Sequence, residues 1–514
     1  MRADSPKSLP YALRIALIVV LGLWAAAALA EPSGTQLRVV VVPGLETGDL
    51  SALEGRGAVG LLVPDAGPRT SAARARAALE RGAIRNSLLG GLPEGNPRLQ
   101  VETAATVPAG DAIVLALPRG GGQPNDRRYP IAVLGKGYRG LLTSDSTRIP
   151  GLVSIADVAP TALGEKRALG SVSAADPVER LAQLDDRIRA NHDAEPVVLL
   201  LSLALVVAVA AFLPAAALPA FAAVLLANLV LGALGSTEVW VDALAVVLAV
   251  GVALPLARAA PVVQGLLLAG VLAAYLVAMA ADERWVALSP LGPRQNDRFY
   301  GLSNLLATLL LVPALAGAIL LGRRFGWWAF LGVAALAVAT VGGSAFGANG
   351  GEVVVFVVAF LVLAALEHGL DRRLAIGATV VAAILALALV AGGPSHVTDS
   401  IADGPAGLAG DLGDSVRISF ERATAGAGDA LLVLGGIAAL VALALRERRP
   451  VLLALLAGLG VSLLVNDSPT DVVLAGLACY VVLSSAPALA RPVREGPQPA
   501  PRAQKARSPQ AARP

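Results

Sequence analysis

The residues able to do chemistry in this chain are few, and they cluster. Four polar stretches interrupt a long apolar region: DERWVALSPLGPRQNDRFYGLSN at 282–304, GGSAFGANGGE at 342–352, a long stretch at 391–427, and NDSPTD at 466–471. They supply Asp297, Arg298, Tyr300 and Asn304, then Asn349 and Glu352, then Arg417 and Glu421, then Asn466 and Asp467. Charge close to or inside hydrocarbon is expensive, which makes each such residue a functional hypothesis. Asp467, Glu352 and Asp297 have the chemistry of a general acid or base, and Arg298 that of a phosphate clamp. Gly347, Gly350 and Gly351 permit close backbone approach or an unwound turn. Unwound backbone at membrane depth is tolerated where it is buried in protein or lines water. The same residue types are also ordinary turn formers, so each cluster alone reads equally well as a solvated loop. Four of them on one side of a membrane point to a shared cavity.

The elements that must position these clusters are apolar runs. They recur near 196–213, 216–234, 239–257, 261–281, 302–321, 326–345, 353–367, 374–392, 429–445, 450–465 and 471–489. Runs approaching twenty apolar residues span hydrocarbon as helices. Pro214 marks the shortest connection, where two spans meet with almost no loop. Alternate connections carry Arg258, Arg323 and Arg324, Arg372 and Arg373, then Arg446, Arg448 and Arg449. Excess Arg and Lys marks the cytoplasmic side. That pattern predicts a plasma-membrane protein of about eleven helices over 195–490, with residues 31–194 outside and the C-terminus cytoplasmic. Residues 491–514 are Pro-rich and basic, and read as a disordered tail beside anionic lipid. Asn228 and Gln264, in mid-span, read as interhelical hydrogen-bonding groups. Trp285, Trp327 and Trp328 suit interfacial anchoring. Asp242, near a span start, reads as a cap.

Composition agrees. Of 514 residues 56% are hydrophobic and 15% charged, against roughly 25% charged in soluble domains. The mean hydropathy is +0.69. Cys479 is the single cysteine and there are three histidines, which excludes an intramolecular disulfide and leaves little for a metal site. No cofactor is expected. A net charge of +3 gives no reason to expect nucleic acid as a partner. Membrane lipid is the expected environment.

The N-terminal part differs. Arg2, Lys7 and Arg14 lead into an apolar run that ends Ala28-Leu29-Ala30, which reads as a signal peptide or as an uncleaved signal-anchor helix over residues 1–30. In 31–194, segments 37–42, 58–63, 111–117 and 129–134 read as buried strands, and TSAARARAALER at 70–81 as a helix. The alternation predicts an α/β sandwich of mostly parallel strands. Asp176-Pro177 predicts the cap and first residue of a further helix. Val178, Leu181, Leu184 and Ile188 form its apolar face; Asp185, Asp186, Arg187 and Arg189 face away.

LLTSDSTRIPGLVSIADVAPTALG at 141–164 resembles the C-terminal part of alkaline-phosphatase-superfamily domains, and RVVVVPGLETGDL at 38–50 resembles their first strand and turn. The resemblance covers about residues 38–165 and implies an extracytoplasmic α/β domain. Active members hold two metal ions with Asp and His around a nucleophile. Here Pro43-Gly44 stands where Asp-Gly is usual, and His192 lies outside the matched region. Thr70 and Ser71 fall near a nucleophile position with nothing to hold a metal beside them, and Asp157 reads as a helix cap. The resemblance therefore implies a degenerate domain in which two-metal catalysis is not expected. SPLGPRQNDRFYGLSN, GANGGE and NDSP further resemble motifs of poorly characterised bacterial multi-pass membrane proteins with such an ectodomain. Leu305 follows Asn304 where that pattern has Glu.

Three functions fit. The first is transport, flipping or assembly of a cell-envelope component, such as a lipid-linked glycan or envelope polymer. The second is a non-catalytic scaffold whose ectodomain binds an envelope protein. The third is a lipid-linked glycosyl- or phospho-transferase.

Overall fold

The structure is a computed structural model and describes residues 36–292, 299, 301–343, 350–368 and 404–490. It is a multi-pass membrane protein with an N-terminal α/β domain. The 1–30 segment, the 374–392 span and the 491–514 tail lie outside the described residues.

Ten strands open the chain: β1 (Arg38–Val41), β2 (Gly57–Val63), β3 (Arg69–Thr70), β4 (Val101–Thr103), β5 (Ala112–Leu115), β6 (Gln123–Pro124), β7 (Tyr129–Leu134), β8 (Gly140–Ser144), β9 (Leu152–Ser154) and β10 (Leu169–Val172). The main sheet runs β10-β8-β2-β7-β5-β1-β4, with β9 also on β2, and β3 pairs with β6 alone. β1 is parallel to β4 and β5, and β2 to β8 and β9. β7 runs antiparallel to both β2 and β5. The sheet is thus mixed, and its central strand reverses the expected direction. An apolar run buried on both faces reads the same in either direction, so only pairing decides.

Side chains alternate across a strand, and two cores follow. Val39, Val41, Ile113, Leu115, Ile131 and Val133 face one side. They pack under α1 (Ala72–Arg81) and α2 (Val158–Ala162) through Ala75, Leu79, Val158 and Ala162. Ser71 caps α1 by accepting from the Arg74 amide, and Gly82 ends it at φ 65°, the left-handed conformation glycine tolerates. Val40, Val59, Leu61, Val114 and Ala132 face the other side, under Leu181 and Ile188.

Those two residues belong to α3 (Pro177–Phe212), one helix of 36 residues that crosses the expected domain boundary at 194 without a break. At 1.5 Å per residue it is roughly 54 Å long, enough to serve both the domain and a span. Asp176 precedes it but makes no side-chain cap bond; the Val178 amide instead donates to Glu54 Oε1 at 3.2 Å.

The remaining helices are α4 (Ala217–Leu234), α5 (Val239–Ala253), α6 (Pro261–Ala281), the short α7 (Arg284–Ala287), α8 (Asn304–Phe325), α9 (Trp327–Gly342), α10 (Gly350–His368), α11 (Gly404–Ala423), α12 (Ala427–Arg446), α13 (Pro450–Val465) and α14 (Pro469–Ser485). Seven described helices are long and apolar enough to cross a membrane: α3, α4, α5, α6, α8, α10 and α12. Helices α9, α13 and α14 are apolar but shorter. A 3-10 turn at Pro214–Ala216 makes the tight connection between α3 and α4. The centre of the bundle is α8, buried from Leu305 to Leu321. Asn228 behaves as expected: its Nδ2 donates to Tyr275 Oη at 3.2 Å and to Ser289 Oγ at 3.0 Å. Gln264 donates instead to backbone carbonyls of the α5–α6 connection, Ala259 at 3.3 Å among them.

The α/β domain sits on one end of this bundle. Ala287, Leu288 and Phe299 complete its second core. Arg187 donates to the carbonyls of Gly232 and Leu288, and Asn191 Nδ2 donates to Leu288 O at 2.7 Å. Arg148 pairs with Glu283 at 3.0 Å. Asp185 pairs with Arg128 and with Arg189. The face of α3 that sequence assigns to water therefore carries two contacts it did not predict, Arg187 to the membrane helices and Asp185 to a buried arginine of the domain.

Candidate functional site

At the domain end of the bundle, four helix ends bring polar residues together. Ser303 caps α8, its Oγ accepting from the Leu306 amide, which places Asn304 at the first helical position. Helix α10 begins at Gly350, with Glu352 in its first turn. Helix α13 ends at Asn466, whose amide donates to Ser462 O. Pro469 starts α14, so residues 466–468 alone join the two helices.

The inner part of the cluster is buried. Glu352 and Ser462 are fully buried and Asn466 nearly so. Asn466 Nδ2 lies 2.5 Å from Glu352 Oε1 and 2.7 Å from Ser462 Oγ. Ser462 Oγ lies 3.4 Å from the same carboxylate oxygen. A Cβ on Gly351 would lie 2.9 Å from Asn466 Oδ1, so glycine is what lets α10 approach this end of α13. Gly350 and Gly351 belong to the helix rather than to an unwound turn.

The outer part is half-exposed. Asn304 Nδ2 donates to Asp467 Oδ1 at 3.0 Å. Arg422 reaches Asp467 Oδ2 at 3.3 Å and donates to Ser468 Oγ at 2.9 Å. Ser419 donates to the Asn466 carbonyl. Asp471 is buried in the first turn of α14.

Sequence reading took 391–427 as a long loop; residues 404–423 are helix α11. Ser415, Ile418, Ser419 and Arg422 fall on one face and are buried or half-buried, the spacing of helical neighbours. Arg417 and Glu421 are exposed, together with Val416 and Phe420. The structure thus brings Asn304, Glu352, Asn466 and Asp467 together and leaves Arg417 and Glu421 outside the cluster. Asp297, Arg298, Tyr300 and Asn349 lie outside the described residues, as does Gly347. Ser462 is the partner that sequence reading missed; Arg422 was placed among the charges of the 391–427 stretch, and Ser468 in a tight turn. Ser462 had a legible signal, since it lies one helical turn before Asn466.

In the α/β domain, the residues weighed from sequence as a metal-dependent site make other contacts. Asp65, at the end of β2, is tied to Arg74, with Nε 2.6 Å from Oδ2. The Ser71 hydroxyl caps α1. Asn125 donates to the Asp65 and Gly67 carbonyls at 3.0 Å. His192 is exposed on α3. Among the described residues no three of His, Cys, Asp and Glu gather as a metal would need. Asp157 stands at the start of α2 but makes no cap bond. Its carboxylate accepts instead from Ser144 Oγ, the Ser146 amide and Ser146 Oγ at 2.5, 2.9 and 2.7 Å. Burial pushes that carboxyl above the ordinary range, against these hydrogen bonds. Asp157 ties the β8–β9 connection to α2.

Compared with protein-family models, characterised proteins and solved structures, the chain matches none.

Proposed function

We propose that this protein transports, flips or assembles a cell-envelope component through the polar cluster at the domain end of its bundle. One observation carries the reading: a carboxylate, Glu352, is fully buried among apolar helices and is held by the neutral donors Asn466 and Ser462. A charge in a membrane helix costs roughly 2.5–3.5 kcal/mol, which makes an ionisable group buried there a functional candidate. Its use here is to gain and lose a proton, or to meet a polar group of the substrate, as the outer residues Asn304, Asp467 and Arg422 open to solvent. The α/β domain, a degenerate phosphatase-like module, presents or orients the envelope component above them.

The test is mass spectrometry of small molecules that co-purify from the native membrane in mild detergent. Wild type, Glu352→Gln and Asp467→Asn are compared. A polyprenyl-phosphate or lipid-linked glycan present in wild type and depleted in both variants is the expected result. Only bulk phospholipid, equal in all three, would reject the reading in favour of a scaffold. The scaffold reading draws on a separate observation, the direct bonds from Arg187 and Asn191 that fix the domain to the helix ends. A transferase is the weakest fit, because Asp467 is engaged by Arg422 and Asn304 rather than presented as a base.

A further inference from the structure

We propose that the opposite end of the bundle carries a binding site for the phosphate headgroup of an anionic membrane lipid. A cleft of about 170 Å³ opens there between Ile319, Arg323, Glu367, Arg448, Arg449, Pro450, Val451 and Leu489. That is far more room than a single water needs.

Three features of the cleft select an anion. Arg323, in the last turn of α8, and Arg448 and Arg449, just before α13, bring three arginines to its lining. Against them stands one lining carboxylate, Glu367, 3.8 Å from Arg323. Glu447 lies behind the wall and takes up part of Arg449, at 3.3 Å. Both Arg323 and Arg449 remain open to solvent, with 30% and 49% of their side chains exposed. Helix α13, 16 residues long, starts at Pro450 within the lining. Its dipole adds positive potential at that point, while the Arg448 and Arg449 amides just before it donate to Glu447. Guanidinium groups are also the side chains best matched to phosphate oxygens.

Two further features select a lipid rather than a soluble ion. The rest of the wall is apolar, formed by Ile319, Val451 and Leu489, which suits the glycerol and first acyl carbons below a headgroup. Phe325 and Trp328, at the same end, are 59% and 80% exposed. Large exposed aromatics mark the level of the membrane interface, and basic pockets between helices at that level take anionic headgroups.

The test uses full-length protein in detergent, delipidated and then offered phosphatidylglycerol, phosphatidylcholine or inorganic phosphate, with native mass spectrometry as the readout. The expected result is retention of phosphatidylglycerol over phosphatidylcholine. Arg323→Gln should weaken it about tenfold, the scale of one charge-assisted hydrogen bond. Among the described residues Arg323 pairs with Glu367 and donates to the carbonyls of Leu489 and Ala490, so the fold of Arg323→Gln is the safer control. Arg449→Gln should act in the same direction, and Arg449→Lys should restore most of the binding. Glu352→Gln, at the other end, should leave it unchanged, which separates this site from the one proposed above. Equal retention of the two lipids, or retention unaffected by Arg323→Gln and Arg449→Gln, overturns the proposal. Inorganic phosphate that binds without lipid and displaces phosphatidylglycerol overturns the lipid source and assigns the cleft to a soluble phosphate.

Discussion

Asn466 and Glu352 stand 114 positions apart in the chain, yet the amide nitrogen of one lies 2.5 Å from a carboxylate oxygen of the other. The contact joins the end of α13 to the start of α10, with both side chains buried. Removing the donor should therefore hurt the fold. Asn466→Ala is expected to lower stability by about 2 kcal/mol, the cost of stranding a buried polar partner. Glu352→Gln keeps an acceptor oxygen for Asn466 and should change stability by less than about 1 kcal/mol. Thermal unfolding in detergent compares the two. Equal losses would mean that the carboxylate is itself structural, and would remove it as a functional group.

Arg422 and Asp467 meet at 3.3 Å with 22% and 30% of their side chains exposed. Partly exposed pairs of this kind couple by about 0.5–1 kcal/mol. A double-mutant cycle with Arg422→Gln and Asp467→Asn should recover that energy, and salt near 1 M should reduce it. A cycle that adds without coupling would show that the ion pair contributes nothing.

Arg187 holds the α/β domain to the bundle through the Gly232 and Leu288 carbonyls. Arg187→Met keeps the length of the side chain and removes its donors. Hydrogen exchange should then quicken at 229–236 and 283–292 while the sheet stays protected. The effect should be about 2 kcal/mol, as for other charge-assisted bonds. Faster exchange in β2 and β7 as well would assign Arg187 to domain stability instead.

Glu447 gives a pH dependence of definite sign. Burial raises its carboxyl, but hydrogen bonds from the Arg449 side chain, the Arg448 and Arg449 amides and Tyr480 outweigh it and hold it at about 2, below its ordinary 4.5. The folded state binds the proton less tightly than the unfolded chain. Its stabilisation is therefore complete above about pH 4.5 and is lost as pH falls toward 2. Glu447→Gln should lower stability at pH 6 and narrow to no difference near pH 2. A gap of constant size across that range would disprove the linkage.

The parts of this fold that were legible in sequence are local. Tyr129–Leu134 was read to the residue, because a run buried on both faces is apolar throughout. The apolar face of α3 was read because Val178, Leu181, Leu184 and Ile188 repeat at helical spacing. Helix α11 escaped, because its polar composition resembles a loop and only Ser415, Ile418, Ser419 and Arg422 keep a helical stripe. Arg187 escaped because a charged side chain opposite an apolar face is ordinarily solvated. Of the site, Asn304, Glu352, Asn466 and Asp467 were named as polar residues at span ends; their pairing with Arg422 and with Ser462 was not legible.

Sequence by itself determined that this chain forms apolar helices and that an α/β domain precedes them. Backbone groups in hydrocarbon have no water to bond, so an apolar run of sufficient length must satisfy them within one helix. That requirement acts over a few residues and is written locally. Tertiary structure alone decided that β7 runs against its neighbours, that Asn304 meets Asp467, and that Glu352 meets Asn466. Those relationships depend on which helices and strands pack together and how closely. A glycine such as Gly351 sets that distance only in the presence of the helix it faces.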